Sequence, residues 1–133
     1  MNYMNYFKIC NNCKYVDQSH IIISKNKLIT SHVGTCSILL FSFNNLNFMA
    51  HIDALQNNSF QIISKIEKNF DINKLKQKKV YIIPGAWCNN TTCYTLTIIK
   101  NALKKLEIKF IIYKKNIKWN NNIYINKNNI AIT

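Results

Sequence analysis

The sequence predicts an α+β fold in which two helices pack on a mostly antiparallel sheet. Short isoleucine-rich runs alternate with asparagine-rich patches along most of the chain, as strands alternate with turns. Two segments instead repeat their apolar residues at helical spacing. The strands come in blocks rather than in strict alternation with the helices, and that order is typical of α+β folds.

Eight runs have the composition and length of strands. They are residues 20–24, 27–31, 35–43, 48–53, 79–83, 108–113, 123–126 and 129–132. The first helix is indicated by Phe60, Ile63 and Ile66, which follow a candidate N-cap at Ser59. The second helix is indicated by an apolar stripe after cap candidates at residues 91 and 92, made of Leu96, Ile99, Leu103 and Leu106.

The length of 133 residues fits a single domain, with residues 1–18 as an optional N-terminal extension. A hydrophobic content of 48% excludes an intrinsically disordered chain. No apolar run reaches the roughly 20 residues that a membrane-spanning helix needs, and the N-terminus lacks the apolar core of a signal peptide. We therefore expect no membrane association and a cytoplasmic location, or the host cytoplasm for a viral or parasitic source.

The charge is strongly unbalanced, with 18 basic and 5 acidic residues. All the basic residues are lysine, which reflects in part an AT-rich coding bias. The excess still predicts attraction to acidic surfaces. The absence of arginine disfavours bidentate recognition of phosphate or guanine.

Five cysteines, an odd number, in a chain without an export signal predict free thiols rather than a disulfide framework. An alternative is a structural zinc site. Cys10 and Cys13 form a Cys-x-x-Cys pair, and Cys88 with Cys93 would complete four thiolates. We expect no cofactor and no catalytic metal.

One segment combines Gly34, Cys36 and His51 around a predicted hairpin. A turn over residues 44–47 would set Leu40 opposite His51, which leaves Cys36 about 13 Å along the strand. A tighter turn or a bulge would bring Cys36 and His51 together. His20 and His32 are alternative partners for the cysteine.

A cysteine beside an imidazole is suited to acyl transfer. The imidazole would raise the thiolate fraction, the thiolate would attack a carbonyl, and the histidine would then protonate the leaving amine. Main-chain N–H groups near Gly34 and Thr35 would hold the oxyanion. Thr30 or a main-chain carbonyl would orient the ring. The alternative interpretation is a buried structural cysteine and histidine.

The motif Gly34-Thr35-Cys36, followed by an apolar strand and Met49-Ala50-His51, resembles the CheD family of chemoreceptor glutamine deamidases. That family has Gly-Ser-Cys and Met-Ala/Asn-His motifs at a similar separation and a catalytic threonine at the place of Thr30. The resemblance continues through Val80–Ala86 (Val-Tyr-Ile-Ile-Pro-Gly-Ala) and the following helix and strand, so it covers roughly residues 20–132. It implies a CheD-like fold and a Cys36–His51–Thr30 site.

Two related groups share this chemistry. Protein N-terminal asparagine amidohydrolases have a Thr-Cys pair and a His-Xaa-Asp pattern similar to His51-Ile52-Asp53. Cytotoxic necrotizing factor catalytic domains share the Cys–His pair. Asp53 is accordingly either a substrate contact or a turn-capping carboxylate.

The resemblance implies a hydrolase that deamidates a Gln or Asn side chain of a protein substrate through a thioester on Cys36 and releases ammonia. The preferred partner is a protein with an acidic surface. The main alternative is a small lysine-rich nucleic-acid-binding module without catalysis, with lysines and Trp119 contacting phosphates and bases. A catalytically inactive relative that only binds is a third interpretation.

Overall fold

A computed structural model describes residues 12–88 and 93–133. Within these ranges the chain forms three helices, α1 (Ser59–Asn69), α2 (Ile72–Leu75) and α3 (Tyr94–Lys105). The strands are β1 (Cys13–Tyr15), β2 (Ile21–Ser24), β3 (Lys27–Ser31), β4 (Ser37–Phe43), β5 (Leu46–Ile52), β6 (Tyr81–Pro84), β7 (Ile111–Ile112), β8 (Asn122–Asn126) and β9 (Asn129–Ile132).

The strands form two sheets. One has five strands in the order β2-β5-β4-β6-β7, and the other has four in the order β1-β3-β8-β9. All pairs are antiparallel except β1 with β3 and β6 with β7. The predicted α+β class with mostly antiparallel sheets is confirmed.

The five-stranded sheet is buried on both faces. Leu39, Phe41 and Ile52 on one face pack with α1 and α3. The residues that alternate with these along the strands, such as Ile38 and Leu40, point to the other face and pack against the four-stranded sheet. The order of layers is therefore helices, five-stranded sheet, four-stranded sheet. Every residue of β4 is buried, which explains why that strand reads as a continuous apolar run.

Both predicted helices are present, and α1 differs from its prediction in its N-cap and its buried face. The N-cap of α1 is Asn58, which forms a capping box with Gln61, rather than Ser59. Ile62 and Ile66 are the buried residues of this helix, whereas Phe60 is 75% exposed. The predicted stripe of α3 is buried as expected, and its cap candidates at residues 91 and 92 lie outside the described residues. None of the helices in the described part is long and apolar enough to cross a membrane.

Two short elements are absent from the sequence prediction. The helix α2 is a single turn capped by the Asp71 side chain, and β1 pairs with β3 in the four-stranded sheet. Residues 13–18 are thus well integrated: Val16 is completely buried. A strand of three residues and one helical turn are too short to show a recognisable period.

The hairpin between β4 and β5 has a tighter turn than the sequence prediction. Asn44 and Asn45 alone form the loop, and both have positive φ, 51° and 63°. Asparagine tolerates this left-handed conformation, which two-residue hairpin loops require. The resulting register sets His51 opposite Ile38 rather than Leu40.

Both glycines lie where the end of β6 meets the segment before β4. Ala86 N–H donates to Val33 O at 2.7 Å, and Trp87 N–H donates to Gly34 O at 3.1 Å. A Cβ on Gly85 would overlap the carbonyl oxygens of Gly34 and Cys36. A Cβ on Gly34 would instead meet the ring of Trp87 at 2.5 Å.

We predict that Gly85→Ala lowers the free energy of unfolding by about 1–3 kcal/mol, since main-chain atoms would have to move. Gly34→Ala serves as the matched control and should cost less than about 1 kcal/mol, because an exposed tryptophan ring can shift. Urea denaturation of both variants measures the difference. Equal costs would contradict the tight main-chain contact at Gly85.

Candidate active site

A pair of hydrogen bonds made by Thr30 links the two sheets between β3 and β5. Thr30 of β3 and His51 of β5 are both buried, and Thr30 Oγ1 lies 2.8 Å from His51 Nδ1. The Thr30 hydroxyl also donates to the main-chain carbonyl of Val16 at 2.7 Å. The structure thus brings two of the three predicted catalytic residues into contact.

These contacts determine the tautomer of His51. A hydroxyl has one hydrogen, and the Val16 carbonyl can only accept a hydrogen bond, so the hydrogen of Thr30 is directed to Val16. The contact between Thr30 and His51 then requires Nδ1–H as the donor. The neutral ring consequently carries its lone pair on Nε2.

The Nε2 atom of His51 has no hydrogen-bond partner. Among the buried side-chain nitrogen and oxygen atoms of the described residues, it is the one left unsatisfied. An unpaired buried polar atom costs about 1–3 kcal/mol. A buried polar atom without a partner calls for an explanation, and a catalytic role is one of those known. The lone pair is therefore available to accept a proton.

Cys36 lies on the same side of the five-stranded sheet as His51. The β4–β5 register pairs Ser37 with Ile52, and continuing it by one residue places Cys36 opposite Asp53. Cys36 is then diagonal to His51, a relation that separates residues on one face by roughly 7–8 Å. Cys36 is 6% exposed and is the one free cysteine of the described residues. It makes no hydrogen bond with His51 in this structure.

The thiol and the imidazole are both neutral at pH 7. Burial, with a smaller contribution from the Asp53 carboxylate, raises the pKa of Cys36 to about 11. Burial lowers the pKa of His51 to about 4, although the Val16 carbonyl and the carboxylates of Asp53 and Asp17 oppose this shift. The expectation that the imidazole increases the thiolate fraction is wrong for this resting state, because burial dominates both pKa values and the charge that acts on Cys36 is the Asp53 carboxylate, which opposes ionisation.

The main chain around Cys36 is held from one side. The Thr95 hydroxyl donates to Thr35 O at 2.9 Å and thereby leaves its own oxygen to accept from Ser37. The Cys88 sulfur lies 3.5 Å from the same oxygen and 3.6 Å from Cys36 O. Hydrogen bonds between described residues include none from the main-chain N–H of Thr35 or Cys36. Main-chain N–H groups without an intramolecular partner are the kind of donor from which oxyanion sites are built.

The expectation of free thiols is wrong for three cysteines. Cys88 and Cys93 form a disulfide, with a Cα–Cα distance of 5.1 Å, and Cys13 is also disulfide-bonded. The zinc alternative fails for the same pair, because a disulfide has no thiolates to donate. Cys10 lies outside the described residues, among which no cluster of metal-binding side chains occurs. The disulfide forms because the chain after β6 and the start of α3 meet, which sequence spacing alone does not show.

The carboxylate of Asp53 is used within the protein. One oxygen accepts from the Leu55 N–H at 3.1 Å, and the other accepts from Gln18 Nε2 at 2.9 Å. Asp53 therefore caps the turn that follows β5, as one of the two sequence interpretations describes. Its role as a substrate contact stays a prediction.

The other two histidines are engaged away from His51. His20 Nδ1 lies 3.0 Å from the Gln18 carbonyl, and His32 contacts both Ser31 and the ring of Trp119. Sequence reasoning missed Val16 and Thr95. Val16 acts through its main-chain oxygen, for which no sequence signal exists, whereas Thr95 has only its position near a helix start as a weak signal.

No protein-family model and no curated protein matches this sequence. The resemblance to CheD consequently depends on the residues quoted for it and on the geometry of the site.

We predict that the stability of the protein depends on the protonation of His51. The pKa of His51 is about 6.5 in the unfolded chain and about 4 in the folded protein. The unfolded chain therefore binds more protons between these values, and the free energy of unfolding falls as the pH decreases through this range. The loss is on the order of 3 kcal/mol, and it is absent above the unfolded pKa.

Urea unfolding of wild type and His51→Gln between pH 4 and 7 measures this effect. The two curves should converge toward low pH, because the variant lacks the titrating group. Parallel curves would show that His51 titrates normally in the folded protein.

Proposed function

We propose that the protein is a cysteine-dependent amidohydrolase that deamidates a Gln or Asn side chain of a protein substrate, with Cys36 as nucleophile, His51 as general base and Thr30 as positioning residue. One observation supports this above all: the neutral His51, held through Nδ1 by Thr30, keeps an unpaired Nε2 lone pair on the face that carries the free Cys36. The CheD-like motifs indicate the substrate class.

The reaction begins with a proton transfer. The Cys36 thiol gives its proton to Nε2 as the sulfur forms a bond with the carboxamide carbon, and the carbonyl oxygen becomes an oxyanion at the Thr35 and Cys36 N–H groups. The C–N bond then breaks, and Nε2–H protonates the departing nitrogen to give ammonia. This leaves a thioester on Cys36.

Water completes the cycle. Nε2 removes a proton from the water as its oxygen attacks the thioester carbon. The C–S bond breaks, and the proton on Nε2 returns to the sulfur. The products are the Glu or Asp side chain and the neutral thiol.

The pKa values favour general-base catalysis over a preformed thiolate–imidazolium pair. A resting ion pair needs a histidine pKa above the cysteine pKa, and burial produces the opposite order here. Substrate approach must therefore shorten the path between Cys36 Sγ and His51 Nε2. Catalytic hydrogen bonds that are long in a free enzyme commonly tighten in the complex.

We predict ammonia release from a panel of peptides that each carry one internal or N-terminal Gln or Asn. Cys36→Ser and His51→Ala should each lose at least about 100-fold in kcat/KM. Thr30→Val should lose less and Thr30→Ser should recover most activity, because only an oxygen on Thr30 positions the ring. Because free His51 has a pKa near 4, the rate should stay constant from about pH 5 to 8.

Two outcomes would contradict the proposal. Undiminished ammonia release by a folded Cys36→Ser variant would exclude the nucleophile. A bell-shaped profile with an acid limb near pH 6.5 would indicate a solvated histidine and exclude the neutral resting pair. Circular dichroism of each variant shows whether it is folded.

We also propose a cytoplasmic location, because the proposed nucleophile Cys36 is a free thiol and a reducing compartment keeps thiols free. The disulfides at Cys88–Cys93 and at Cys13 are unusual there, because cytosolic thiol systems keep most cysteines reduced. Alkylation of intact cells before lysis, followed by mass mapping, tests the location: a disulfide that is fully oxidised in all copies would argue against the reducing cytosol.

Nucleic-acid binding remains the second candidate function. The observation in its favour is a pair of parallel, exposed tryptophan rings, Trp87 and Trp119, in a chain with an excess of lysine. Binding to a single-stranded oligonucleotide that survives Cys36→Ser and weakens with salt would support it.

A further inference from the structure

Three aromatic rings form an exposed surface beside the Cys36 segment. Trp87 and Trp119 are 64% and 46% exposed, and their rings lie parallel with centroids 6.3 Å apart. The His32 ring lies 4.4 Å from Trp119. We call His32, Trp87 and Trp119 the aromatic platform. Leaving large aromatic surface in water is unfavourable, and tryptophan is enriched where proteins bind partners.

The platform adjoins the proposed nucleophile. Carbons of the Trp87 ring lie 2.5–3.2 Å from where a Gly34 Cβ would be, so this ring rests directly on the main chain two residues before Cys36. The main-chain N–H of Trp87 also donates to Gly34 O. A ligand chain lying on Trp87 would therefore pass over the main chain that leads into Cys36.

Two rings of the platform, those of His32 and Trp119, are held in defined positions. The Ser31 hydroxyl lies 2.7 Å from Tyr15 Oη and 3.0 Å from His32 Nδ1, which orients the His32 ring. The turn that carries Trp119 is closed by Asn121, whose side chain accepts from Lys118 N–H and donates to Thr133 O. Preorganised rings lose little side-chain entropy when a ligand binds.

The segments that build the platform carry only positive charge. The Asp53 carboxylate, which acts on Cys36, lies outside these segments and is held by Gln18 and Leu55. The segment before Trp119 exposes Lys114, Lys115 and Lys118. None of the chain's 5 acidic residues lies in the segments that build the platform, residues 31–36, 84–88 and 113–122. A ligand with negative charges next to its apolar groups complements this surface.

We infer that the aromatic platform binds the acidic peptide segment that flanks the target Gln or Asn of the protein substrate. This inference rests on the proposed function, which requires a polypeptide to reach Cys36. The tryptophan rings pack on the side chains and amide planes of that segment, and the lysines select its carboxylates. A peptide fits better than a nucleic acid because the platform has no arginine for bidentate phosphate contacts.

The test measures the binding of three fluorescein-labelled probes by anisotropy. The first is a short peptide with a central Gln flanked by Glu, the second has Lys in place of each Glu, and the third is an oligothymidylate. All measurements use the inactive Cys36→Ser protein, so that turnover does not remove the ligand. We expect the Glu peptide to bind at least about tenfold more tightly than the Lys peptide and the oligonucleotide, and to weaken with salt.

Variants of the platform then locate the binding. Trp87→Ala and Trp119→Ala should each weaken the Glu peptide about tenfold or more, and Lys118→Glu should weaken it without removing an aromatic ring. Phe60→Ala is the matched control, since Phe60 is exposed on α1 outside the platform. It should leave the affinity unchanged. Thermal denaturation shows whether each variant is folded, and Lys118→Glu serves if a tryptophan variant is not.

The inference is overturned if neither peptide binds, if the two peptides bind equally, if the oligonucleotide binds most tightly, or if the platform variants match Phe60→Ala. Its failure differs from that of the proposed function. Wild-type protein that releases ammonia with kcat/KM unaffected by Trp87→Ala would refute the platform alone. Platform-dependent binding of the Glu peptide without any ammonia release from the peptide panel would refute the activity alone.

Discussion

The buried contact of Thr30 with both Val16 and His51 joins the two sheets and determines the chemistry of the site. Thr30 can donate only one hydrogen, and the Val16 carbonyl takes it, so His51 must donate from Nδ1. Everything proposed for the site follows from the position of the remaining lone pair on Nε2. The same contact also requires β1 and β3 to stay in register, because Val16 directly follows β1 and Thr30 lies within β3.

Burial is the second determinant of the site. It stabilises the sheets by removing Ile38 and Leu40 from water, and it also prevents Cys36 and His51 from ionising. A solvated cysteine–histidine pair would be a reactive thiolate at rest. A desolvated pair is neutral at pH 7, which limits side reactions of the only free thiol in the described residues, because a thiol is less nucleophilic than a thiolate.

The segment before β4 is contacted by two different groups of residues. Thr95 and Cys88 lie against the carbonyls of Thr35 and Cys36, whereas the Trp87 ring rests on Gly34. The two glycines are therefore needed for different reasons. Gly85 allows two main-chain segments to meet, and Gly34 allows an aromatic ring to rest on the backbone.

The sequence by itself determined the fold class, most of the strands, the buried stripe of α3 and the choice of Cys36, His51 and Thr30 as candidates. Hydrophobic periodicity and short motifs are local properties, so they can be read along the chain. The register of the hairpin, the buried face of α1, the disulfide and the tautomer of His51 were decided only by the tertiary structure. Each of these depends on groups that are distant in sequence, such as the Val16 carbonyl. Desolvation reversed the expected pKa order of Cys36 and His51, and it exists only once both sheets are packed.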